Sequence, residues 1–198
     1  MAAVPELLIP AGSLTKVRTA LAYGADAVYV GAPGLSMRPD DVALDDDAMA
    51  EAVALAHAAG RKLYACVNTL MFAADLDRLR AWLDATRALG LDALLVSDPG
   101  ALALVRERRP DVPVHVSTQM STANPAAAAF WKAVGARRVV LARECSLADA
   151  AAVAAGCDIE VEVFVHGAMC VAVSGRCLLS AHLCGKSGSR GECKHSCR

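Results

Sequence analysis

A repeated unit runs along this sequence: a short apolar segment, a polar turn and then a helical segment. Strands that alternate with helices form parallel sheets, because each helix returns the chain to the edge where the strand started. The regular repeat favours a TIM-barrel-like (β/α) barrel of the α/β class over an open doubly wound sheet. The predicted strands are residues 7–9, 27–30, 62–67, 93–96, 112–116, 138–141 and 159–165. Seven strands are visible and an eighth is not, so we expect a barrel that is incomplete at its C-terminus.

Local signals mark where the helices begin. Ser13 and Ser146 can cap the first turns that follow them, and the acidic residues 45–47 suit the positive N-terminal end of a helix. Pro99 fits the first turn of another helix, where its missing N–H costs nothing. Helices are therefore predicted at residues 13–23, 45–59, 74–89, 125–134 and 146–155, and from residue 99 onward.

Composition excludes several classes of protein. A hydrophobic content of 56% with 21% charged residues is typical of a globular chain and excludes a disordered one. The net charge of −1 predicts no overall attraction to nucleic acid or membrane. The sequence has no basic, apolar signal peptide and no apolar run near the roughly 20 residues of a membrane span, so we expect a cytoplasmic location.

We expect a barrel domain at 1–167 and a cysteine-rich segment at 168–198 that packs on the barrel mouth.

Polar residues follow the predicted strands at their carboxyl ends, where the active sites of such barrels lie. Each one alone is also compatible with a turn or a helix cap, but their shared placement predicts a site. They are Asn68, Asp98, Ser117, Thr118, Gln119, Arg143, Glu144 and His166.

The seventh predicted strand alternates apolar and polar residues, so one face suits packing on helices and the other carries Glu162 and His166 toward the barrel mouth. A carboxylate inside a barrel is costly unless it is paired or used, and Arg143 or Arg176 is the expected partner of Glu162. The alternative is an edge strand whose polar face is solvated.

The cysteine-rich segment and its immediate surroundings concentrate reactive side chains. Its thiols are Cys170 and Cys177 at a spacing of seven and Cys193 and Cys197 at a spacing of four. Cys193 and Cys197 could form the Cys-x(2–4)-Cys pair of a structural zinc site, whereas Cys170 and Cys177 fit such a pair less well. The looser spacing suits an iron–sulfur cluster, whose thiolates approach from different directions. Reduced, unligated cysteines are the alternative. The segment is also locally basic, which indicates an anionic substrate or RNA backbone, or cations that offset thiolates. Its basic residues are Arg176, Lys186, Arg190, Lys194 and Arg198, against Glu192.

Residues 166–180 read His-Gly-Ala-Met-Cys-Val-Ala-Val-Ser-Gly-Arg-Cys-Leu-Leu-Ser, and residues 190–198 read Arg-Gly-Glu-Cys-Lys-His-Ser-Cys-Arg. Together with residues 6–12, 24–31, 117–119 and 141–144, they resemble the collagenase-like peptidase family, which has no assigned catalytic type. The resemblance covers essentially the whole chain. Members of this family are usually longer, so we expect this chain to be the N-terminal part of a longer protein.

The resemblance implies a barrel-like fold and, in several members, an iron–sulfur protein that acts in oxygen-independent or prephenate-linked hydroxylation. By motif, Cys170, Cys177 and Cys193 match three ligands of a [4Fe-4S] cluster, and the fourth is Cys197 or lies beyond Arg198. Cys184 is outside the matched pattern, and the three remaining cysteines are interpreted as core or surface thiols: Cys66, Cys145 and Cys157.

The hypothesis that follows is an iron–sulfur hydroxylase of tRNA or rRNA bases, with a pocket lined by Gln119, Arg143, Glu162 and His166. RNA or a small anionic substrate, prephenate as oxygen donor and a partner subunit are the expected partners. Three alternatives stay open: a peptidase using His166 and a cysteine, a ubiquinone-biosynthesis hydroxylation protein, and a metal-stabilised scaffold without catalysis. The sequence contains no Gly-x-Ser-x-Gly elbow and no His-Glu-x-x-His zinc helix to support hydrolysis.

Overall fold

A computed structural model describes residues 4–39 and 42–197. Its sheet has seven strands, all parallel, and each pairs with the next one along the chain. The strands are β1 (Leu8–Pro10), β2 (Ala27–Gly31), β3 (Lys62–Val67), β4 (Ala93–Val96), β5 (Val114–Val116), β6 (Arg138–Val140) and β7 (Glu160–Glu162). The predicted fold is confirmed: the strands curve into an incomplete, TIM-barrel-like half-barrel with helices on its outside.

Within the described residues, six α-helices connect the strands and a short seventh lies in the cysteine-rich segment. They are α1 (Leu14–Ala22), α2 (Asp46–Ala58), α3 (Ala73–Ala85), α4 (Pro99–Arg108), α5 (Pro125–Ala133), α6 (Leu147–Gly156) and α7 (Leu179–Cys184). The predicted caps Ser13 and Ser146 accept hydrogen bonds from backbone N–H groups of the first turn. The third helix ends four residues earlier than predicted, because Gly90 with φ 71° closes a short 3₁₀ turn at Arg87–Leu89. Helix α7 was not predicted.

Apolar side chains pack on both faces of the sheet. The larger cluster lies between strands and helices, and includes Val28, Leu63, Leu94 and Val139, all 0% exposed. The smaller cluster fills the concave side, here called the lumen, with Ala27, Tyr64, Cys66, Ala93, Leu95 and Val140. Residues of the lumen alternate with residues of the outer core along each strand, so the face that a side chain occupies follows from its position in the strand.

The last strand is shorter than predicted. Only Glu160–Glu162 pairs with β6, and Val163 and Val165 beyond it are 43% and 85% exposed. The expectation that this whole apolar face packs on helices is therefore wrong past Val161. The physical reason is that, among the described residues, β7 has no further strand beside it to extend the ladder. No helix in the described part of the chain is long and apolar enough to cross a membrane.

Candidate functional site at the barrel mouth

A pocket of about 600 Å³, here called the mouth pocket, opens where the strands end. The four side chains predicted to line a pocket all border it: Gln119, Arg143, Glu162 and His166. Asn68, Ser117 and Thr118 from the predicted polar set also border it. The structure adds residues that the sequence did not single out, namely Tyr29, Arg38, Cys66 and Phe164. The carboxyl ends of neighbouring parallel strands thus bring together residues far apart in the chain.

One wall of the mouth pocket is a chain of neutral polar groups. The Asn68 amide donates to the Ser117 hydroxyl over 3.2 Å, and that hydroxyl donates to the Gln119 side-chain oxygen. Asn68 also accepts a hydrogen bond from the backbone N–H of Met37 over 3.2 Å. Each of these side chains is oriented by a hydrogen bond to its neighbour. Their remaining donors and acceptors therefore point in fixed directions and suit a flat polar ligand.

Two arginines stand over aromatic rings at this pocket. The guanidinium carbon of Arg143 lies 5.3 Å from the Phe164 ring centre, and its buried Nε has no hydrogen-bond partner among the described residues. Arg38 donates to the Tyr29 hydroxyl over 3.0 Å and also lies 5.4 Å from that ring's centre. Guanidinium groups with spare donors suit carboxylate or phosphate oxygens.

Glu162 points down the lumen and meets a different partner from the expected ones. Its carboxylate accepts from Arg138 over 3.3 Å, whereas Arg176 donates to Ser121 over 2.9 Å and Arg143 lies over Phe164. The prediction of Arg143 or Arg176 as its partner was wrong, because a side chain on this face reaches toward the start of β6 and away from the loops. Burial raises the pKa of the Glu162 carboxyl, and Arg138 opposes that rise.

Two residues of the predicted polar set have other roles. Asp98 accepts the backbone N–H of Ala101 over 2.9 Å and caps α4. Glu144 accepts the backbone N–H of Ser174 over 2.8 Å and the Ser174 hydroxyl over 3.3 Å. It therefore joins the β6–α6 loop to the cysteine-rich segment.

The cysteine-rich segment is also held at the far side of the mouth. Arg190 donates to both carboxylate oxygens of Asp75, over 2.6 and 3.0 Å, and to the backbone oxygen of Leu70 over 2.7 Å. Gly191 (φ 82°) lies so close to the backbone of Arg38 that a Cβ atom would come within 2.8 Å of its oxygen. The segment thus crosses the mouth from the loop after β6 to the loops after β2 and β3.

The four predicted cluster ligands differ in exposure. Cys170 and Cys177 are half-buried, while Cys193 and Cys197 are exposed. The sulfur of Cys177 accepts the backbone N–H of Leu179 over 3.3 Å, and the sulfur of Cys193 accepts that of His195 over 3.4 Å. Hydrogen bonds to the ligand sulfurs are one of the features that set the reduction potential of an iron–sulfur cluster.

No complete metal site is formed within residues 4–39 and 42–197. They contain no group of three or more His, Cys, Asp or Glu side chains arranged to hold a metal ion. In this part of the chain, no histidine ring nitrogen is hydrogen-bonded to a cysteine sulfur. His166 therefore does not form a Cys/His pair in this structure. The four-cysteine site stays a prediction, supported by the donor chemistry at Cys177 and Cys193.

Several basic residues of the segment are already paired. Arg190 binds Asp75, and Lys186 binds Glu192 over 2.9 Å. Lys194 has no carboxylate within ion-pair distance among the described residues, and Arg198 lies outside them. Arg176 contacts the neutral Ser121 hydroxyl, so within the described part of the segment the positive charges of Arg176 and Lys194 stay unpaired, as does that of Arg143 in the mouth pocket.

One cysteine outside the predicted ligand set lies at the mouth pocket. Cys66 is buried in the lumen and borders the mouth pocket, and burial raises the pKa of its thiol to about 12. Cys145 and Cys157 pack partly against the outer core, and Cys184 is exposed. The alternation of residues along β3 could have placed Cys66 on the lumen face.

These features define a class of protein: an incomplete (β/α) barrel whose mouth holds a polar pocket crossed by a cysteine-rich segment. Residues 12–198 match the model of Peptidase family U32, and the chain belongs to this family. The solved structure of the U32 peptidase Mk0906 has the same fold, with a TM-score of 0.68 at 16% identity over 82% of this chain and 69% of that one.

Among the relatives of the chain are proteins named for RNA hydroxylation, two of which are from Escherichia coli K12. The chain is 43% identical to tRNA hydroxylation protein P of Escherichia coli K12, over 98% of this chain and 43% of the relative. It is 38% identical to the 23S rRNA 5-hydroxycytidine C2501 synthase of the same organism, over 98% of this chain and 29% of the relative. The chain thus spans less than half the length of these curated relatives.

Proposed function

We propose that this protein takes part in hydroxylating a base of tRNA or rRNA. The observation that carries the proposal is the 43% identity to a tRNA hydroxylation protein over 98% of this chain. An activity on RNA fits a location in the cytoplasm, where tRNA and ribosomes are.

The mouth pocket has the properties that a flipped base needs. Enzymes that modify a base extrude it into a pocket, read its polar edge and stack its ring on aromatic side chains. Asn68 and Gln119 offer directed amide groups, and Phe164, with Arg143 over one side of its ring, is an aromatic side chain at the pocket. We assign Glu162 and His166 to proton transfer at the base, because both border the pocket and Glu162 has a raised pKa.

The proposed cofactor is a [4Fe-4S] cluster held by Cys170, Cys177 and Cys193, with Cys197 or a residue beyond Arg198 as fourth ligand. Such a cluster supplies one-electron redox chemistry when bound. The N–H donors to the sulfurs of Cys177 and Cys193 support this ligand set. Arg143, with its unpartnered buried Nε, is the proposed anchor for an anionic oxygen donor such as prephenate.

A strain that lacks the gene provides the test of activity. We expect mass spectrometry of nucleosides from its tRNA and rRNA to show the loss of a hydroxylated base, and wild-type protein to restore it. The Cys177→Ala variant should not restore it, whereas Cys184→Ala should, since Cys184 lies in the same segment but outside the ligand set. Unchanged nucleosides in the deletion strain would refute an RNA substrate, and peptide cleavage that survives Cys177→Ala would favour a peptidase.

Anaerobic reconstitution with iron and sulfide tests the cofactor without measuring activity. We expect visible absorbance and bound iron and sulfide in the wild type and in Cys184→Ala, and their loss in Cys170→Ala, Cys177→Ala and Cys193→Ala. Retention of the cluster in Cys197→Ala would assign the fourth ligand to another residue. Equal iron content in all variants would refute the ligand set.

A further inference from the structure

A guanidinium near the start of the strands links three carboxylates inside the lumen. Arg138, whose side chain is only 10% exposed, donates to Glu6 over 2.8 Å, to Glu160 over 2.8 Å and to Glu162 over 3.3 Å. Glu6 precedes β1, at the opposite edge of the sheet from β7. One side chain therefore connects the two edges of the half-barrel with the floor of the mouth pocket.

The three contacts are unequal in a specific way. The same nitrogen, Nη1 of Arg138, donates to both Glu6 and Glu162, and the bond to Glu6 is shorter by half an ångström. Glu6 is fixed by two further donors, the Tyr64 hydroxyl at 2.9 Å and Lys62 at 2.8 Å. The guanidinium is thus drawn toward Glu6, and Glu162 receives the weaker contact.

We propose that Arg138 is a positioning residue for Glu162, and that Glu6 determines how strongly Arg138 binds it. The proposal rests on the proposed function, in which Glu162 works in the mouth pocket. Neither Arg138 nor Glu6 borders that pocket, so both act through Glu162.

The charges around Glu162 agree with this geometry. Burial raises the pKa of Glu162, Arg138 lowers it and Glu6 raises it. Burial also opposes ionisation of Glu6, but its hydrogen bonds from Arg138, Lys62 and Tyr64 hold its pKa at about 2. The titratable and charged groups on the described elements packed around Glu162 are Glu6, Tyr29, Arg38, Lys62, Tyr64, Cys66, His115, Arg138, Arg143, Glu160 and His166.

The two residues should shift the titration of Glu162 in opposite directions. Removing Glu6 takes away a repelling charge and releases Arg138, so the pKa of Glu162 should fall in Glu6→Gln. Removing Arg138 takes away the attracting charge, so the pKa should rise in Arg138→Gln. We expect each change to be about one pH unit, the lower end of the range for one nearby charge. Arg138→Lys, which keeps the charge but cannot bridge two carboxylates as well, should give a smaller rise.

Infrared difference titration of the purified protein measures this directly, with Glu162→Gln to assign the carboxyl band. Glu51→Gln is the matched control, because Glu51 pairs with Arg18 on the outer helices. Circular dichroism checks that each variant is folded. If Arg138→Gln unfolds, the two separate variants Glu6→Gln and Arg138→Lys still test the proposal, because their shifts should have opposite signs. Shifts of the same sign, or shifts no larger than in the control, would overturn the proposal.

The titration needs no RNA, so its outcome is separate from that of the proposed function. If the shifts occur and the pH dependence of RNA hydroxylation moves in the same directions, both are supported. If the shifts occur while Glu162→Gln hydroxylates RNA normally, Arg138 still positions Glu162, and the assignment of Glu162 to catalysis fails.

Discussion

Asp75, at the start of α3, fastens the cysteine-rich segment to the barrel. Its side chain is 4% exposed and accepts two hydrogen bonds from Arg190 and one from the backbone N–H of Phe72 over 2.8 Å. The hydrogen bonds from Arg190 are the main reason that the pKa of Asp75 falls from 3.8 to about 2. Asp75→Asn removes the charge but keeps an oxygen for the Phe72 N–H, so it separates the ion pairs with Arg190 and, at 3.7 Å, Arg78 from the cap.

The pKa gives the size of the expected loss. A pKa shift of one unit corresponds to about 1.36 kcal/mol. Lowering the pKa of Asp75 from 3.8 to about 2 therefore contributes about 2 kcal/mol to the free energy of unfolding at neutral pH. A lowered carboxyl pKa stabilises the fold above the unfolded value near 3.8, and the contribution disappears as pH falls through about 2. Asp75→Asn should therefore lower stability by about 2 kcal/mol at pH 7 and by less near pH 3.

Urea unfolding at both pH values provides the measurement. The matched control is Asp77→Asn on the same helix, because Asp77 is 78% exposed and pairs with Arg80 three residues along. An exposed pair of this kind contributes less than about 0.5 kcal/mol. If the two variants unfold at the same urea concentration, the Asp75–Arg190 pair does not hold the segment as described.

Three further predictions concern the pocket, the RNA and the lumen. Glu162→Gln should lower the hydroxylation rate by about 100-fold or more and leave RNA affinity unchanged; a parallel loss of affinity would indicate a role in binding. Lys194→Ala should reduce the slope of log affinity against log salt by about one, as for one lost phosphate contact, and an unchanged slope would place Lys194 away from RNA. Burial, with help from Arg138, lowers the pKa of His115 to about 3, so the wild type should lose up to about 1.4 kcal/mol per pH unit as pH falls below about 6.5 toward 3. In His115→Leu that dependence should be weaker, and an identical pH dependence of urea unfolding would contradict it.

The positions of the strands and helices were readable from the sequence because they depend on local chemistry. Apolar segments of three to six residues, Ser13 and Ser146 as caps, and Gly90 as a stop act over a few residues each. The pocket residues were readable for a related reason. Parallel strands end at one edge, so Gln119, Arg143, Glu162 and His166 had to lie near each other once the topology was known.

The partners of those residues could not be read in the same way. Periodicity gave the face on which Glu162 lies, but its partner, Arg138, is 24 residues away at the start of another strand, and Glu6 is 132 residues from Arg138. Such contacts depend on how far the sheet curves and on which side chains meet across the lumen. Neither quantity leaves a periodic trace in the sequence.

The sequence by itself determined the parallel (β/α) topology, the polar edge of the sheet and the cysteines available as ligands, because each follows from residue type and short-range order. The tertiary structure alone decided that Arg138 joins Glu6 to Glu162 and that Asp75 holds Arg190 from 115 residues away. The folded barrel removes these charged groups from water, where an unpaired charge is costly. Each group therefore pairs with the opposite charge that the tertiary structure brings beside it.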